Sequence, residues 1–124
     1  MKRDWDLIRK ILVTLEEKPD RQPLPAEAVD GTRAQDVAYN MGLLLERHLI
    51  EGYKIETIGM GYGAAPVMAT TLTWGGHELL DSIRQDSTWG HIKESALSKG
   101  LDLTFDVVVS LAKAYIGAKI GTPL

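Results

Sequence analysis

Apolar and polar residues alternate along this chain with a helical period in several separate stretches. The first stretch predicts an amphipathic helix from residue 4 or 5 to about residue 17, with Asp4 or Asp6 as its N-terminal cap and Pro19 ending it. The apolar positions of this helix are Trp5, Ile8, Leu12 and Leu15, widened by Leu7 and Ile11.

A second helical pattern follows a proline-rich connection over residues 18–32. Thr32 is the predicted N-cap, and the helix is expected to run from Arg33 to about His48. The segment Leu49-Ile50-Glu51-Gly52 is then expected to end it with a glycine exit.

The pattern next changes from a period of about four to a period of two. Residues 53–58 alternate as a half-buried strand does, and residues 67–72 are the predicted partner strand. The intervening residues 59–66 contain three glycines and one proline, which indicates a long hairpin tip.

Three further helices are predicted after the hairpin. Thr73 caps a helix through about Gln85, a second begins at residues 86–88 and ends at Gly100, and Thr104 caps a last helix to about Ile120. The residues expected to face inward on the first two are Leu79, Leu80, Ile83, Trp89, Ile92, Ala96 and Leu97.

This order of elements predicts an α+β fold of the winged-helix type. We expect a winged-helix-like module over residues 1–85 and a C-terminal helical extension, residues 86–124, packed on the same single domain. A standard winged helix has another helix before its recognition helix. Only Leu24 to Val29 is available for it here, so that element is expected to be short or missing.

Composition and charge narrow the class of protein. The chain has 124 residues, of which 44% are hydrophobic, enough for one core. Acids outnumber bases 17 to 14, which argues against a general polyanion binder, and the lack of cysteine excludes disulfides and thiolate chemistry. Arg9 and Lys10 interrupt any signal peptide, and six glycines and prolines interrupt the uncharged run 57–76, so we predict a soluble, cytoplasmic protein with no membrane segment.

Four segments resemble a bacterial and phage family of unknown function, number twenty-five thirteen in the domain-of-unknown-function series. They are Met1-Lys2-Arg3-Asp4-x-Asp6-Leu7-Ile8, Val37-Ala38-Tyr39-Asn40, Leu72-Thr73-Trp74-x-Gly76-His77-Glu78 and Thr104-Phe105-Asp106-Val107-Val108. The resemblance implies a prophage-type origin and a winged-helix-like fold, and it implies no activity. Asn40 stands where the family often has histidine, and Arg47-His48 where Ala-Gly is usual.

Two motifs resemble known sites only in part. The glycines at 59, 61 and 63 lack the following lysine and helix of a phosphate-binding loop, so a flexible wing tip is the preferred interpretation. His77-Glu78-x-x-Asp81 lacks the second histidine of a metalloprotease helix and is better explained as a helix start. With no recognisable nucleophile turn either, we expect no enzymatic activity, no cofactor and no metal.

The second helix is the candidate DNA-reading element. In a winged helix this element enters the major groove and the wing contacts the backbone. The candidate contact residues are Arg33, Gln35, Tyr39, Asn40 and Arg47 on an exposed helix face, with Lys54 and Tyr62 on the wing.

The last helix is apolar on two faces. Phe105, Val108, Ala112, Tyr115 and Ile116 form one face, and Val107, Leu111, Ala114 and Ala118 form the other. Both faces need cover, so the second is either packed within the monomer or is a homodimer interface.

The leading hypothesis is therefore a small phage- or prophage-associated, DNA-binding regulatory protein. The alternative is a non-catalytic adaptor that binds a protein partner through the wing and the last helix.

Overall fold

The computed structural model describes residues 1–55 and 66–120. The chain forms two compact units, Met1–His77 and Glu78–Leu124. Within the described ranges the fold is α+β, with five α-helices and one three-stranded antiparallel sheet.

The first helix, α1, covers Trp5–Glu17, as predicted from its apolar period. Asp4 is its N-cap, because the Asp4 Oδ1 accepts a hydrogen bond from the backbone N of Leu7 at 3.1 Å. Its apolar stripe is buried, and Ile11 and Leu12 are fully inaccessible to solvent.

A short strand and two single 3₁₀ turns connect α1 to the next helix. Strand β1 covers Leu24–Pro25, and the 3₁₀ turns cover Ala26–Ala28 and Gly31–Arg33. No α-helix occurs between residues 18 and 33, all of which the structure describes. The expectation of a short or missing helix here is confirmed.

Helix α2 covers Ala34–Glu46, so the prediction that Thr32 caps it is wrong. Asp30 instead organises this segment: its Oδ1 accepts hydrogen bonds from the backbone N of Thr32 at 3.1 Å and from the Thr32 hydroxyl at 2.8 Å. Because the Asp30 carboxylate accepts both Thr32 donors, the Thr32 hydroxyl does not cap α2, and a 3₁₀ turn precedes the α-helix.

Helix α2 ends at a histidine in the left-handed conformation, with φ of 57° at His48. The backbone N of Leu49 bonds to Leu44 O at 3.0 Å and that of His48 bonds to Leu45 O at 3.0 Å, which is the Schellman arrangement. The predicted exit at Gly52 is therefore wrong, because the chain has already turned four residues earlier.

Gly52 lies inside strand β2, which covers Ile50–Lys54 and pairs with β3, Val67–Leu72. A Cβ at position 52 would overlap the backbone carbonyl of Met68, so only glycine fits this close approach at a register shift. The predicted first strand began too late, at residue 53. Its last residues, and most of the predicted tip, lie outside the described residues.

The sheet has the order β1-β3-β2, with antiparallel neighbours throughout. In the first unit α1 and α2 pack against each other, α1 packs on β3, and α2 packs on β2. The element order and strand order of this unit are compatible with a winged helix.

Helix α3, Trp74–Ile83, crosses the boundary between the units, and α4 and α5 follow as Asp86–Ser98 and Phe105–Ile120. The N-cap predictions for Thr73 and Thr104 are confirmed, since Thr73 Oγ1 accepts from Gly76 N and Thr104 Oγ1 from Val107 N, both at 3.1 Å. Gly100 ends α4 with a φ of 66°.

Helices α4 and α5 pack against each other in the second unit. Trp89, Ile92 and Ala96 are buried as predicted, but Leu97 is wrongly placed by the sequence, because it is 82% exposed. None of the helices within residues 1–55 and 66–120 combines the length and the hydropathy of a membrane-spanning segment.

Candidate nucleic-acid interface on the second helix

Helix α2 has one side in the core and one side facing away from it. Val37, Met41 and Leu44 are buried, whereas Gln35 and Glu46 are exposed and Tyr39 is half-buried. We call positions 35, 39, 42 and 46 the α2 outer stripe, because intervals of four, three and four residues place them on one side of a helix. Within this stripe Gly42 is buried, and the Lys54 side chain lies over it. This stripe is the part of α2 that can meet a ligand.

Arg33 is engaged with carboxylates of its own unit. Its Nη2 lies 3.0 Å from Asp4 Oδ2 and 3.3 Å from Asp36 Oδ2, and its side chain is 45% exposed. The hydrogen bond to Asp4, more than any other interaction, raises the pKa of Arg33 above its ordinary value. A phosphate at this place would compete with two carboxylates for the guanidinium.

Asn40 is not on the exposed face, so its predicted placement there is wrong. Its side chain is fully buried and makes three hydrogen bonds within the first unit. The helical period alone was consistent with either side of the helix for this residue. It lies inward, where its Oδ1 accepts the hydrogen bond from the Asp4 N.

Two further candidates are basic side chains on the same unit. Arg47 is exposed at the C-cap of α2, and Lys54 is exposed at the end of β2. Lys54 extends across the helix at Gly42, since a Cβ on that glycine would be 3.6 Å from Lys54 Cε and 3.7 Å from Lys54 Nζ. Tyr62 lies outside the described residues.

A cavity of about 150 Å³ lies between α2 and the hairpin and brings two of the predicted residues together. Tyr39 and Lys54 both line it. Sequence reasoning assigned none of the other lining residues to a site, including Gly42 and Glu46. Their spacing from Tyr39, three and seven residues, was the signal that would have placed them on the same side of the helix.

The structure also locates the residues predicted for self-association. Val107 and Leu111 are half-buried on α5, while Ala114 and Ala118 are exposed. On the other apolar face of the helix Val108 and Ala112 are fully buried. The two predicted faces therefore differ, and the second is only partly covered in the monomer.

The weaker motifs gain no support. His77 is exposed, and no group of three potential metal ligands occurs within residues 1–55 and 66–120. The glycine motif at 59–63 lies outside the described residues.

The chain is similar to a family and to a relative whose descriptions state no activity. Residues 2–102 match the model of the family described as "Hypothetical protein (DUF2513)". The chain is also 38% identical, over 117 residues, to an uncharacterized protein of Haemophilus influenzae, a match that covers 94% of this chain and 96% of the relative. No solved structure matches.

Proposed function

We propose, from the premise that this chain belongs to the DUF2513 family of hypothetical proteins, that its first unit is a winged-helix-like module that binds double-stranded DNA. The observation that supports this most is the position of α2. It precedes the antiparallel β2–β3 hairpin in a sheet of order β1-β3-β2, and on its outer stripe Gln35 and Glu46 are exposed and Tyr39 is half-buried. With 13 residues, α2 is about 20 Å long, a length that the major groove accommodates.

The contacts would divide between bases and phosphates. Gln35 and Tyr39 on the α2 outer stripe have the chemistry for base edges, and glutamine in particular can pair with adenine through two hydrogen bonds. Arg47 and Lys54, at the end of α2 and on the hairpin, would meet phosphates. Arg33 is a weaker candidate than the sequence indicated, because Asp4 and Asp36 already bind it.

The net charge of the chain predicts selective rather than nonspecific DNA binding. With a formal net charge of −3, the protein lacks the overall attraction that drives nonspecific binding. Affinity must come from few phosphate contacts and from base recognition, so it should be selective. The proposed role is a phage- or prophage-associated regulator, which would act in the cytoplasm where its DNA target lies.

The test is selection from a pool of random duplexes at low and moderate salt, followed by sequencing of the retained DNA. We expect one enriched motif whose retention falls as salt rises, because each phosphate contact contributes about 0.9 to the slope of log affinity against log salt. Retention of no motif by folded protein would reject the proposal.

Two substitutions then test the assigned surface on the enriched duplex. Gln35→Ala should weaken binding by about tenfold and relax the preference at one base pair. Lys54→Gln should weaken all sequences about equally and lower the salt slope by about one. Lys99→Gln removes the same charge from an exposed position of the second unit and should change neither.

Self-association through α5 is a second part of the proposal. Val107, Leu111, Ala114 and Ala118 follow one another at intervals of four, three and four residues, the spacing of a coiled-coil seam. If α5 pairs antiparallel with a second copy, Val107 meets Ala118 and Leu111 meets Ala114, so each larger side chain faces a smaller one. Such size matching supports close packing.

Light scattering at increasing concentration tests this pairing. We expect a dimer that Leu111→Lys converts to a monomer, because the substitution places a charge in the seam. Ile120→Lys makes the same type of change at a residue that is 79% exposed and off the seam, and it should leave the dimer intact. A wild-type monomer at all concentrations would reject the pairing.

The alternative function is a non-catalytic adaptor for another protein. Exposed apolar side chains on the second unit favour it: Leu97 is 82% and Leu101 is 44% exposed. An apolar interface of this type should bind its partner nearly independently of salt, in contrast to DNA binding. Partner capture at both low and high salt, together with no DNA motif, would favour the adaptor.

A further inference from the structure

The cavity between α2 and the hairpin is lined by apolar residues and by two charged side chains. Ala38, Leu43 and Val67 supply apolar surface, and Glu46 and Lys54 supply one negative and one positive group. Its volume of about 150 Å³ suits a single small molecule rather than a drug-sized one. The described residues that line it all belong to the first unit.

The two charged groups line the same space without binding each other. Within the described residues, no ion pair joins Glu46 to Lys54, and neither side chain pairs with another described residue. The stem of Lys54 rests over Gly42, which has no side chain to occupy the cavity. Among residues 1–55 and 66–120, no side chain competes for either charge with a molecule that enters between them.

We propose that this cavity binds a small zwitterion, a free α-amino acid with an apolar side chain. The ligand carboxylate would bind the Lys54 ammonium, and its ammonium group would bind the Glu46 carboxylate. Its side chain would contact the apolar lining residues Leu43 and Val67. The Tyr39 hydroxyl is a further hydrogen-bonding group at the same cavity.

The match rests on charge and size together. A peptide terminus has only one of the two charges, and a phosphate or a polyamine has charges of one sign only. A ligand with about ten non-hydrogen atoms makes few contacts, so we expect dissociation constants from roughly 0.1 to 10 mM. This inference goes beyond the proposed DNA binding and does not depend on it.

The experiment is a two-dimensional amide NMR titration of the full chain, without DNA, with valine, leucine and phenylalanine. The expected result is saturable shifts of amides near Gly42 and Lys54. The N-acetyl and the C-terminal amide derivatives of the same amino acid each lack one charge, and each should bind at least tenfold more weakly. Equal affinity for these derivatives, or no saturable shift at 50 mM ligand, would overturn the proposal.

Matched variants locate the binding. Glu46→Gln keeps the side-chain length and Lys54→Met shortens it by one atom. Each removes one charge and should weaken binding at least tenfold. Lys99→Met and Glu94→Gln repeat these changes at exposed positions of the second unit and should leave affinity unchanged. Wild-type affinity in both cavity variants, with amide spectra showing that they are folded, would also overturn it.

Discussion

The side-chain amide of Asn40 binds the backbone of Asp4 across 36 residues of sequence. Asn40 Oδ1 accepts a hydrogen bond from the Asp4 N at 2.8 Å, and Asn40 Nδ2 donates to Asp36 O at 2.8 Å and to Lys2 O at 3.4 Å. Asp4 in turn caps α1 and forms an ion pair with Arg33. One buried amide thus fixes the start of α1 against α2.

Replacement of Asn40 by leucine should destabilise the first unit substantially. The variant removes all three side-chain hydrogen bonds and leaves the Asp4 N–H without its acceptor, at a cost of about 1 to 3 kcal/mol in the free energy of unfolding. Urea denaturation followed by circular dichroism measures the change. Gln35→Leu makes the same type of change at an exposed position of α2. It should change the free energy of unfolding by less than about 0.5 kcal/mol. Equal effects of the two variants would contradict the anchoring role.

His48→Gly should stabilise the protein. His48 directly follows the C-cap of α2 and has a φ of 57°. Gly100 directly follows the C-cap of α4 and has a φ of 66°. A left-handed conformation costs a residue with a side chain about 1 to 2 kcal/mol, and the greater freedom of glycine in the unfolded chain offsets part of this gain. We expect a net gain of about 0.5 to 1 kcal/mol in thermal or urea unfolding.

The reciprocal change tests the same reasoning. Gly100→His should destabilise the protein by about 1 kcal/mol, because it introduces the cost that His48 already carries. A loss of stability in His48→Gly would show that the histidine side chain contributes more than its backbone conformation costs.

Two adjacent glycines at the start of α3 should respond oppositely to alanine. A Cβ at Gly76 would overlap the carbonyl oxygen of Leu49, whereas a Cβ at Gly75 would lie 3.5 Å from Leu49 Cδ2, an ordinary contact. Gly76→Ala should therefore cost about 1 to 3 kcal/mol of stability, through forced backbone shifts. Gly75→Ala should be neutral or stabilising by up to about 1 kcal/mol. Thermal unfolding of the two variants distinguishes them, and similar losses would contradict the close approach.

The Thr32 hydroxyl should control the acidity of Asp30. The hydrogen bond from the Thr32 side chain is the largest of the interactions that lower the pKa of Asp30, and Lys10, 3.6 Å away, contributes too. Thr32→Val should raise this pKa toward its ordinary value, measured by NMR titration of the carboxyl carbon. Thr14→Val removes a hydroxyl that donates to a backbone carbonyl instead, and it should leave the pKa of Asp30 unchanged.

The lowered pKa of Asp30 also predicts how the stability of the protein changes with pH. Because the pKa of Asp30 is lowered in the folded protein, its contribution is present above the unfolded pKa and is lost as the pH falls through the folded value. The stability difference between wild type and Thr32→Val should therefore shrink as the solution is acidified below about pH 4. A difference that grows on acidification would contradict the direction of the shift.

Local sequence patterns predicted the positions of most helices and of one strand, β3. The apolar period of α1 and the position of Pro19 gave its bounds, and the hydroxyls of Thr73 and Thr104 marked two helix starts. These features depend on neighbours within four residues, so the sequence reports them directly. The prediction was wrong at Thr32 and Gly52 because a nearby residue has the predicted role. Asp30 accepts the hydrogen bonds before α2, and His48 adopts the left-handed conformation that ends it.

The candidate site was predictable only in part. The sequence identified Tyr39 and Lys54 but did not show that they line one cavity, and it placed Asn40 on the wrong side of the helix. It could not show that Arg33 lies 3.0 Å from Asp4, because 29 residues separate them along the chain. Pairings of this kind form only when distant segments pack.

The sequence by itself determined the element types and most helix caps, since those follow from periodicity and from hydrogen bonds between near neighbours. The tertiary structure decided which polar residues are free to act. Packing of α1 on α2 buried Asn40 and occupied Arg33, and pairing of β2 with β3 carried Lys54 across Gly42 to face the same cavity as Glu46. The physical reason is that polar groups are satisfied by the partners that the fold brings to them, and for Asn40 and Arg33 one such partner, Asp4, is distant in sequence.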